Sequence, residues 1–236
     1  MKERILSWVP PPILYQLSHW KNKVYFDQLR NSKDKHSLSG YDELKCIFVH
    51  VPKTAGLAVS RALFGNLGGS HKTVIEYKRI FGLYDFYSYY SFSFVRNPFT
   101  RLVSAYTFLK NGGINKKDRK WARENIASYK SFESFVLNWL NAENIWSYIH
   151  LLPQHHFLCE NDEPQVNFIG RFENLQQDFQ KICKELNVDP ILTQYNKTKR
   201  SQKCEEYYTP EIWEKVVKLY KKDFDIFGYD SNKIEG

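Results

Sequence analysis

The stretch "CIFVHVPKTAGLAVSRALFG", Cys46 to Gly65, determines the fold expected for this protein. It opens with a short, nearly continuous apolar run, which is typical of a β-strand covered on both faces. A Pro-Lys-Thr-Ala-Gly turn follows, and the apolar residues after it recur at a loosely helical period. The stretch therefore predicts a buried strand, a tight turn and a helix in immediate succession, with Lys53 just beyond the end of the strand.

The same order recurs twice further along the chain. "YYSFSFV", Tyr89 to Val95, predicts a second strand, and an Arg-Asn-Pro turn then leads into the amphipathic helix "FTRLVSAYTFLK". "VNFIGRFENLQQDFQKICKELNV", which begins at Val166, passes from a strand through Arg171 into a helix. Three strand-turn-helix units predict an α/β fold with a central parallel sheet wrapped by helices.

The chain of 236 residues has the length of one domain with a sizeable core. We expect residues 1–43 to form an N-terminal leader that packs on the rest, and residues 44–236 to form a single domain. The leader begins with basic residues like a signal peptide, but three prolines interrupt its apolar part and a small-residue cleavage site is missing. Four widely spaced cysteines indicate reduced thiols. We therefore expect a cytoplasmic protein whose leader is the part that would contact a membrane.

Positive charge is in excess, because 34 Lys and Arg residues against 26 Asp and Glu residues give a net charge of +8. Such an excess favours anionic partners, while the lack of long basic runs argues against nucleic acid. Ligands of open parallel sheets bind beyond the carboxyl ends of the strands. The three turns there carry Lys53, Arg96 and Arg171, which we expect to converge on one crevice. Gly56 and the helix start that follows favour the close approach of an anion.

The chain lacks a Walker A loop. That motif requires Gly-x-x-x-x-Gly-Lys-Ser/Thr. The superficially similar Lys72-Thr73 is preceded by His71, and Asn66 stands where the first glycine is needed. Hydrolysis of a nucleoside triphosphate therefore loses support.

Three motifs together resemble those of the carbohydrate-type sulfotransferases, in particular the family of the heparan 2-O-sulfotransferases and their bacterial relatives. They are "HVPKTAG" at the first turn, "FVRNPFTRLVSAY" at the second and "FIGRFENL" at the third. The resemblance implies a P-loop-like central sheet flanked by helices, a three-layer sandwich and a bacterial origin. It also implies 3'-phosphoadenosine 5'-phosphosulfate as the sulfate donor, a co-substrate with phosphates at both positions, and chemistry that needs no metal.

The resemblance further assigns binding roles to residues of the first two turns. The first turn would cradle the 5'-phosphosulfate, through Lys53, Thr54, Ala55 and Gly56. The second would hold the 3'-phosphate, through Arg96 and Ser104. Ser104 lies about two helical turns beyond Arg96, so both side chains can face one ligand. Arg101 stays open between a phosphate contact and a surface residue.

The first turn departs from the family at two positions. Hydroxyl residues commonly follow the glycine in the family, whereas Leu57 and Ala58 stand here. Two hydrogen bonds to the 5'-phosphate are therefore missing, each worth roughly 1.5–3 kcal/mol to a charged acceptor. Backbone donors, Lys53 and Thr54 must then suffice, or Ser60 must contribute.

Two residues are predicted to act in catalysis. A base should take the proton of the attacking hydroxyl, and histidine suits that task near neutral pH. "GGSHKTVIEYKRIFG" resembles the family segment that carries this base, which makes His71 the candidate; heparan 2-O enzymes have His-Gly-His there, and only the second histidine remains. Lys53 would neutralise charge on the bridging oxygen as the nucleotide leaves.

Other titratable residues near these motifs have structural interpretations. His50 is interpreted as buried, with a place in the crevice left open, and Glu76 as a surface carboxylate or a partner that orients His71. Glu173 is expected to pair with Arg171 or to cap the helix that follows. A cluster that could suggest zinc fits no closed site well, and comprises His150, His155, His156 and Cys159. His155 or His156 could instead line the acceptor cleft.

The sequence thus predicts a sulfotransferase that moves a sulfuryl group from the nucleotide donor to a hydroxyl, most simply on a sugar. Lipid-linked glycans, small alcohols and protein tyrosine also present a hydroxyl and stay open. Two other classes remain as alternatives. A non-catalytic nucleotide- or glycan-binding protein would suit the lost hydroxyls at Leu57 and Ala58, and a kinase-like phosphotransferase would need the Walker motif that is missing.

Overall fold

A three-stranded parallel sheet forms the centre of the structure. The computed structural model describes residues 9–189, 192 and 203–235. The strands β1 (Cys46–Val49), β2 (Tyr90–Val95) and β5 (Phe168–Arg171) lie in the order β1-β2-β5. All pairs are parallel. The three strands predicted from the sequence are therefore confirmed, as is the α/β fold class.

Helices and a short hairpin account for the remaining regular structure. The α-helices are α1 (Pro11–Lys21), α2 (Lys23–Asn31), α3 (Ser39–Leu44), α4 (Gly56–Phe64), α5 (Val74–Ser88), α6 (Pro98–Lys110), α7 (Lys116–Asn125), α8 (Phe132–Asn138), α9 (His155–Leu158), α10 (Leu175–Leu186), α11 (Pro210–Leu219) and α12 (Lys221–Phe227). The antiparallel hairpin consists of β3 (Cys159–Glu160) and β4 (Glu163–Pro164). Single 3-10 turns occupy Asn144–Trp146, Phe172–Asn174 and Cys204–Tyr207.

The parallel sheet is deeply buried because helices flank it. Every residue of β1 is buried. Helices α3 and α5 contact β1, and α10 contacts β2 and β5. The near-continuous apolar runs of β1 and β2 follow from this cover, since each strand faces other residues on both sides. The carboxyl ends of the strands, where the turns begin, are therefore held on a rigid base.

Side chains cap the starts of two helices, α6 directly after β2 and α5 after the loop that follows α4. Asn97 caps α6 by accepting a hydrogen bond from the Phe99 amide at 3.0 Å, and Pro98 occupies the first turn. Thr73 and Glu76 form a reciprocal capping box at the start of α5. Helices α5 and α6 therefore begin at defined residues.

The described part of the leader packs on the domain. Tyr15 of α1 is buried and donates a 2.5 Å hydrogen bond to Glu160 Oε1 of the hairpin. Gln16 Oε1 accepts a bond of 3.3 Å from the Leu83 amide, where Gly82 (φ 73°) interrupts α5. Docking of the leader agrees with the sequence-based expectation, and its first eight residues lie outside the described part. The division into residues 1–43 and 44–236 stays a prediction.

Two kinds of feature are absent from the residues that the structure describes. Among the helices described, none is both long and apolar enough to cross a membrane. Within the same ranges, no group of three or more His, Cys, Asp or Glu side chains is arranged to hold a metal ion. All four cysteines are free.

Candidate functional site

The turn after β1 has the backbone geometry of an anion cradle. Lys53 and Ala55 adopt positive φ angles of 71° and 68°, which are uncommon for residues other than glycine. Thr54 between them is fully buried, and its hydroxyl donates to the Val51 carbonyl at 2.8 Å. Left-handed residues within a tight turn direct successive amide groups towards one concave face, where an anion can bind. Because the Thr54 hydroxyl proton is engaged, Thr54 can donate to a ligand through its backbone.

The first residue of α4, Gly56, has no room for a side chain. A Cβ atom added at Gly56 would lie 1.9 Å from the ring of His50. Ser60, one turn further on, is fully buried, and a Cβ added at Gly68 would lie 2.6 Å from its Oγ. Ser60 Oγ therefore faces Gly68, and it has no hydrogen-bond partner among the described residues. A contribution of Ser60 in place of the hydroxyls missing at Leu57 and Ala58 stays a prediction.

Arg96 at the end of β2 lies against the same turn. Its guanidinium donates to the Lys53 carbonyl at 3.3 Å and to Thr100 Oγ1 at 2.9 Å. It also stacks on Phe172, with Cζ 3.9 Å from the ring centre. The residues that carry the two cations, at neighbouring strand ends, are therefore in contact through the Lys53 backbone. Ser104, on the helix after Arg96, is half-buried.

Arg101 is a buried residue whose guanidinium lies against the first turn. Its side chain is 2% exposed, and its guanidinium donates to the Pro52 carbonyl at 3.0 Å and to the Leu152 carbonyl at 2.7 Å. Burial lowers the pKa of this guanidinium below its ordinary value. The interpretation of Arg101 as a surface residue was wrong, since it braces the first turn from within the protein, and its role as a phosphate contact stays a prediction.

The expectation that Arg171 joins the crevice is wrong. Its guanidinium donates to the carbonyls of Phe227 and Gly228, at 2.9 and 3.0 Å, and pairs with Glu235 at 3.2 Å. It also stacks on the ring of Tyr229, with Cζ 4.5 Å from the centre. These partners all come from the C-terminal segment, so Arg171 anchors that segment to the end of β5.

Glu173 also differs from its expected roles. It pairs with neither Arg171 nor the following helix. Oε1 accepts from the Asn97 amide at 2.8 Å, and Oε2 accepts from the Tyr229 hydroxyl at 3.0 Å. Glu173 therefore fixes the residue that caps α6, next to Arg96.

His71 lies in the loop before α5, close to the first turn. Nδ1 is 3.0 Å from the His50 carbonyl oxygen. A carbonyl can only accept, so Nδ1 carries a hydrogen atom and Nε2 is left with its lone pair. Burial lowers the pKa of His71 to about 4, against the opposing effect of this hydrogen bond. The ring is therefore neutral near pH 7 and able to take a proton at Nε2.

Two residues near His71, His50 and Glu76, can be compared with their interpretations from the sequence. His50 is 5% exposed and stacks on Phe48, with ring centres 5.5 Å apart, in agreement with its interpretation as buried. Glu76 accepts from the amide and the hydroxyl of Thr73, at 2.7 and 3.0 Å. Glu76 therefore holds the start of α5 and does not orient the imidazole.

Sequence reasoning missed two residues of the site. The Lys53 ammonium lies 3.8 Å from the centre of the Phe108 ring, a cation–π contact. The His150 ring is 4.8 Å from Phe108 and 5.8 Å from His71. Phe108 was detectable, because it lies four residues after Ser104 on one face of α6. His150 was considered only as part of a zinc cluster, and its local sequence gives no signal for this position.

A surface cleft of about 480 Å³ borders the segment that carries His71. Thr73 at the start of α5 lines it on one side, and Trp146, His155 and His156 line it on another. Trp146 is 48% exposed, with His156 edge-on at 5.5 Å. The expectation that His155 or His156 borders a cleft agrees with this arrangement, although its ligand is a matter for proposal.

Comparisons with known proteins cover most of the chain. The model of the sulfotransferase family matches residues 40–230. Carbohydrate sulfotransferase 10 from Rattus norvegicus and from Homo sapiens is 30% identical over 175 residues, which are 60% of this chain and 47% of the relative. Carbohydrate sulfotransferase 12 from Xenopus laevis is 26% identical over 194 residues, 68% of this chain and 46% of the relative. The chain therefore spans about half the length of the curated relatives it matches. No solved structure gives a significant match.

Proposed function

The chain belongs to the sulfotransferase family, and from this premise we propose that it transfers a sulfuryl group from 3'-phosphoadenosine 5'-phosphosulfate to a hydroxyl of a carbohydrate. The observation that carries the proposal is the contact between the first two turns. Arg96 donates to the Lys53 backbone carbonyl at 3.3 Å, so the two cationic residues at neighbouring strand ends belong to turns that contact each other. A donor with phosphates at both ends of its ribose needs such a pair.

The first turn would act as a P-loop-like cradle for the 5'-phosphosulfate. Lys53, Thr54, Ala55 and Gly56 would contribute an ammonium group and the backbone amides of a turn that leads into a helix. The positive φ angles at Lys53 and Ala55 support this role, as does the favourable field at a helix start. Arg96 and Ser104 would hold the 3'-phosphate from the second turn. Since Leu57 and Ala58 bring no hydroxyls, backbone amides carry more of the binding than in relatives with hydroxyls there.

The reaction would proceed by in-line displacement at sulfur. The acceptor oxygen forms the new bond to sulfur while the bond from sulfur to the 5'-phosphate oxygen breaks. The bonding pair leaves with adenosine 3',5'-bisphosphate, and His71 Nε2 takes the hydroxyl proton. Lys53 would stabilise the charge that develops on the departing oxygen. These steps use side chains of the protein throughout, and we propose that they need no metal.

The cellular setting is a further part of the proposal. We propose a cytoplasmic enzyme, on the ground of four free cysteines. The carbohydrate acceptor follows from the names of the relatives, which are called carbohydrate sulfotransferases. Contact of the leader with a membrane stays a prediction.

Lys53→Ala tests the proposal directly. Transfer of labelled sulfate from the donor onto a panel of sugars should be lost, because Lys53 contributes charge neutralisation and little packing. Lys120→Ala, which removes an ammonium from a side chain that is 71% exposed, is the matched control and should keep full activity. Circular dichroism should give the same Tm for both variants.

A binding assay separates this function from its alternatives. Calorimetry should detect adenosine 3',5'-bisphosphate and give weaker binding for Lys53→Ala. Preference for ATP with magnesium would indicate a phosphotransferase instead. Normal transfer by Lys53→Ala would contradict the assignment of the site.

A further inference from the structure

A second imidazole faces the predicted reaction centre, and the proposed function leaves it without a role. His150 is 8% exposed, and its ring lies edge-on to His71 with centres 5.8 Å apart. It also packs on Phe108 at 4.8 Å, the ring that carries the Lys53 ammonium. His150 therefore lies beside both residues that are predicted to act on the sulfuryl group.

Asp118 determines which nitrogen of His150 carries hydrogen. Its Oδ1 lies 3.6 Å from His150 Nε2, longer than a hydrogen bond but close enough for strong electrostatic attraction. Asp118 accepts from the Tyr148 hydroxyl at 2.5 Å and from the Ile114 amide at 2.9 Å. These bonds and His150 hold the pKa of Asp118 well below its ordinary value, although burial opposes them. A permanent negative charge at Nε2 favours the tautomer with hydrogen on that atom, so Nδ1 keeps its lone pair.

Nδ1 of His150 is a buried acceptor with no hydrogen-bond partner among the described residues. Buried polar atoms in folded proteins are nearly always paired, so an unpaired one calls for an explanation. Three other buried atoms are also unpaired among the described residues, namely His50 Nδ1, Ser60 Oγ and Asn97 Nδ2, and of these only His50 belongs to an imidazole. The His50 ring is wedged between Phe48 and Gly56, however, and no carboxylate is paired with it among the described residues. His150 is therefore the better candidate for a ligand contact.

We propose that His150 Nδ1 accepts a hydrogen bond from a second hydroxyl of the acceptor, next to the hydroxyl that His71 deprotonates. The inference rests on the proposed sulfotransferase function and narrows its substrate class. Two adjacent imidazoles, each with one nitrogen that carries no hydrogen, can accept hydrogen bonds from two adjacent hydroxyl groups. The acceptor is then a vicinal diol, as found on a pyranose ring, rather than an isolated alcohol or a tyrosine. His150 would orient the diol and so choose which hydroxyl is sulfated.

The tautomer can be tested without any substrate. In protein labelled with ¹⁵N-histidine, the ring resonances of His150 should show hydrogen on Nε2 at pH 7, with assignment from His150→Asn. Asp118→Asn should weaken this preference. Hydrogen on Nδ1 in the unaltered protein would overturn the inference, because that atom could no longer accept.

The role in recognition requires matched acceptors. Sulfate transfer is measured onto methyl pyranosides and onto analogues that lack one hydroxyl beside the sulfated position. We expect one such deoxy analogue to lose about fivefold to tenfold in kcat/KM. In His150→Leu this difference should vanish, whereas His150→Asn, which keeps a polar atom near Nδ1, should retain part of it. If His150→Leu fails to fold, judged by Tm, the comparison is made with His150→Asn alone.

The outcomes distinguish failure of this inference from failure of the proposed sulfotransferase function. Sulfate transfer with the same deoxy penalty in the unaltered protein and in His150→Leu refutes the role of His150 and leaves the proposed function intact. Failure to transfer sulfate to any sugar, together with failure to bind adenosine 3',5'-bisphosphate, refutes the proposed function and this inference with it.

Discussion

Titration of His71 in the ligand-free protein should give a midpoint near pH 4 instead of near its ordinary value of 6.5. Two features of the structure determine this value. Burial penalises the charged ring, and the hydrogen bond from Nδ1 to the His50 carbonyl returns only part of that cost. The unfolded chain would take up the proton first as pH falls. The folded state should therefore lose stability between pH 6.5 and 4.

The two pKa values of about 4 and 6.5 predict the largest difference in the protonation of His71 near pH 5. A ring with a pKa of 4 is about 90% neutral at that pH, whereas a ring with a pKa of 6.5 is about 3% neutral. The fraction of His71 able to accept a proton thus differs about thirtyfold between the two cases. A base that stays neutral over this range would keep the reaction insensitive to mild acid as far as His71 is concerned.

Nuclear magnetic resonance of ¹⁵N-histidine-labelled protein measures both the midpoint and the tautomer. The His71 signal is assigned by its loss in His71→Gln, and urea-unfolded protein supplies the reference midpoint. Circular dichroism at each pH confirms that the chain remains folded. A midpoint that coincides with the unfolded reference would refute the argument from burial, and hydrogen on Nε2 would refute the contact with the His50 carbonyl.

Two further predictions concern stability. Gly56→Ala should destabilise the protein by roughly 1–3 kcal/mol and weaken binding of adenosine 3',5'-bisphosphate, because the new methyl group meets the His50 ring. The double variant with His50→Ala should recover part of the lost Tm, because it removes the clashing ring. An unchanged Tm in the single variant would contradict the packing of Gly56 against His50. Glu160→Gln should destabilise the protein by about 3–5 kcal/mol in urea unfolding, because the buried Lys78, 1% exposed, loses the carboxylate 2.6 Å from its ammonium and keeps only the Gln165 amide oxygen at 2.8 Å. The matched change in the exposed pair Lys120–Glu124, Glu124→Gln, should cost about 0–1 kcal/mol, and equal losses would show that burial is irrelevant.

The sheet could be predicted from the sequence because its determinants are local. Buried runs such as "CIFV" and "YSFSFV" exclude an amphipathic helix by their length and by their β-branched and aromatic content. The Asn97-Pro98 pair then indicates a helix start, because capping by asparagine and the fixed φ angle of proline are local effects. These signals act within a few residues, so the strands and the turns that follow them are readable without knowledge of the fold.

The direction of long side chains could not be predicted. Arg171 is the last residue of β5 and Arg96 directly follows β2, yet the partners of Arg171 lie in residues 227–235, more than fifty positions away. The two backbone carbonyls, the Tyr229 ring and the Glu235 carboxylate in that segment stabilise the Arg171 guanidinium more than exposure in an open crevice would. Asp118 and His150 likewise meet across 32 positions. Pairing at such separation depends on how helices pack, which local sequence does not specify.

The two arginines that lie against the first turn together fix the direction of its amides. Arg101 holds the Pro52 carbonyl and Arg96 holds the Lys53 carbonyl. In a trans peptide the N–H points opposite to the C=O of the same plane, and no peptide described is cis. The amides of Lys53 and Thr54 are therefore directed away from both guanidinium groups. The 5' end of the donor would bind on that side and the 3'-phosphate beside Arg96, so the turn itself separates the two phosphate sites.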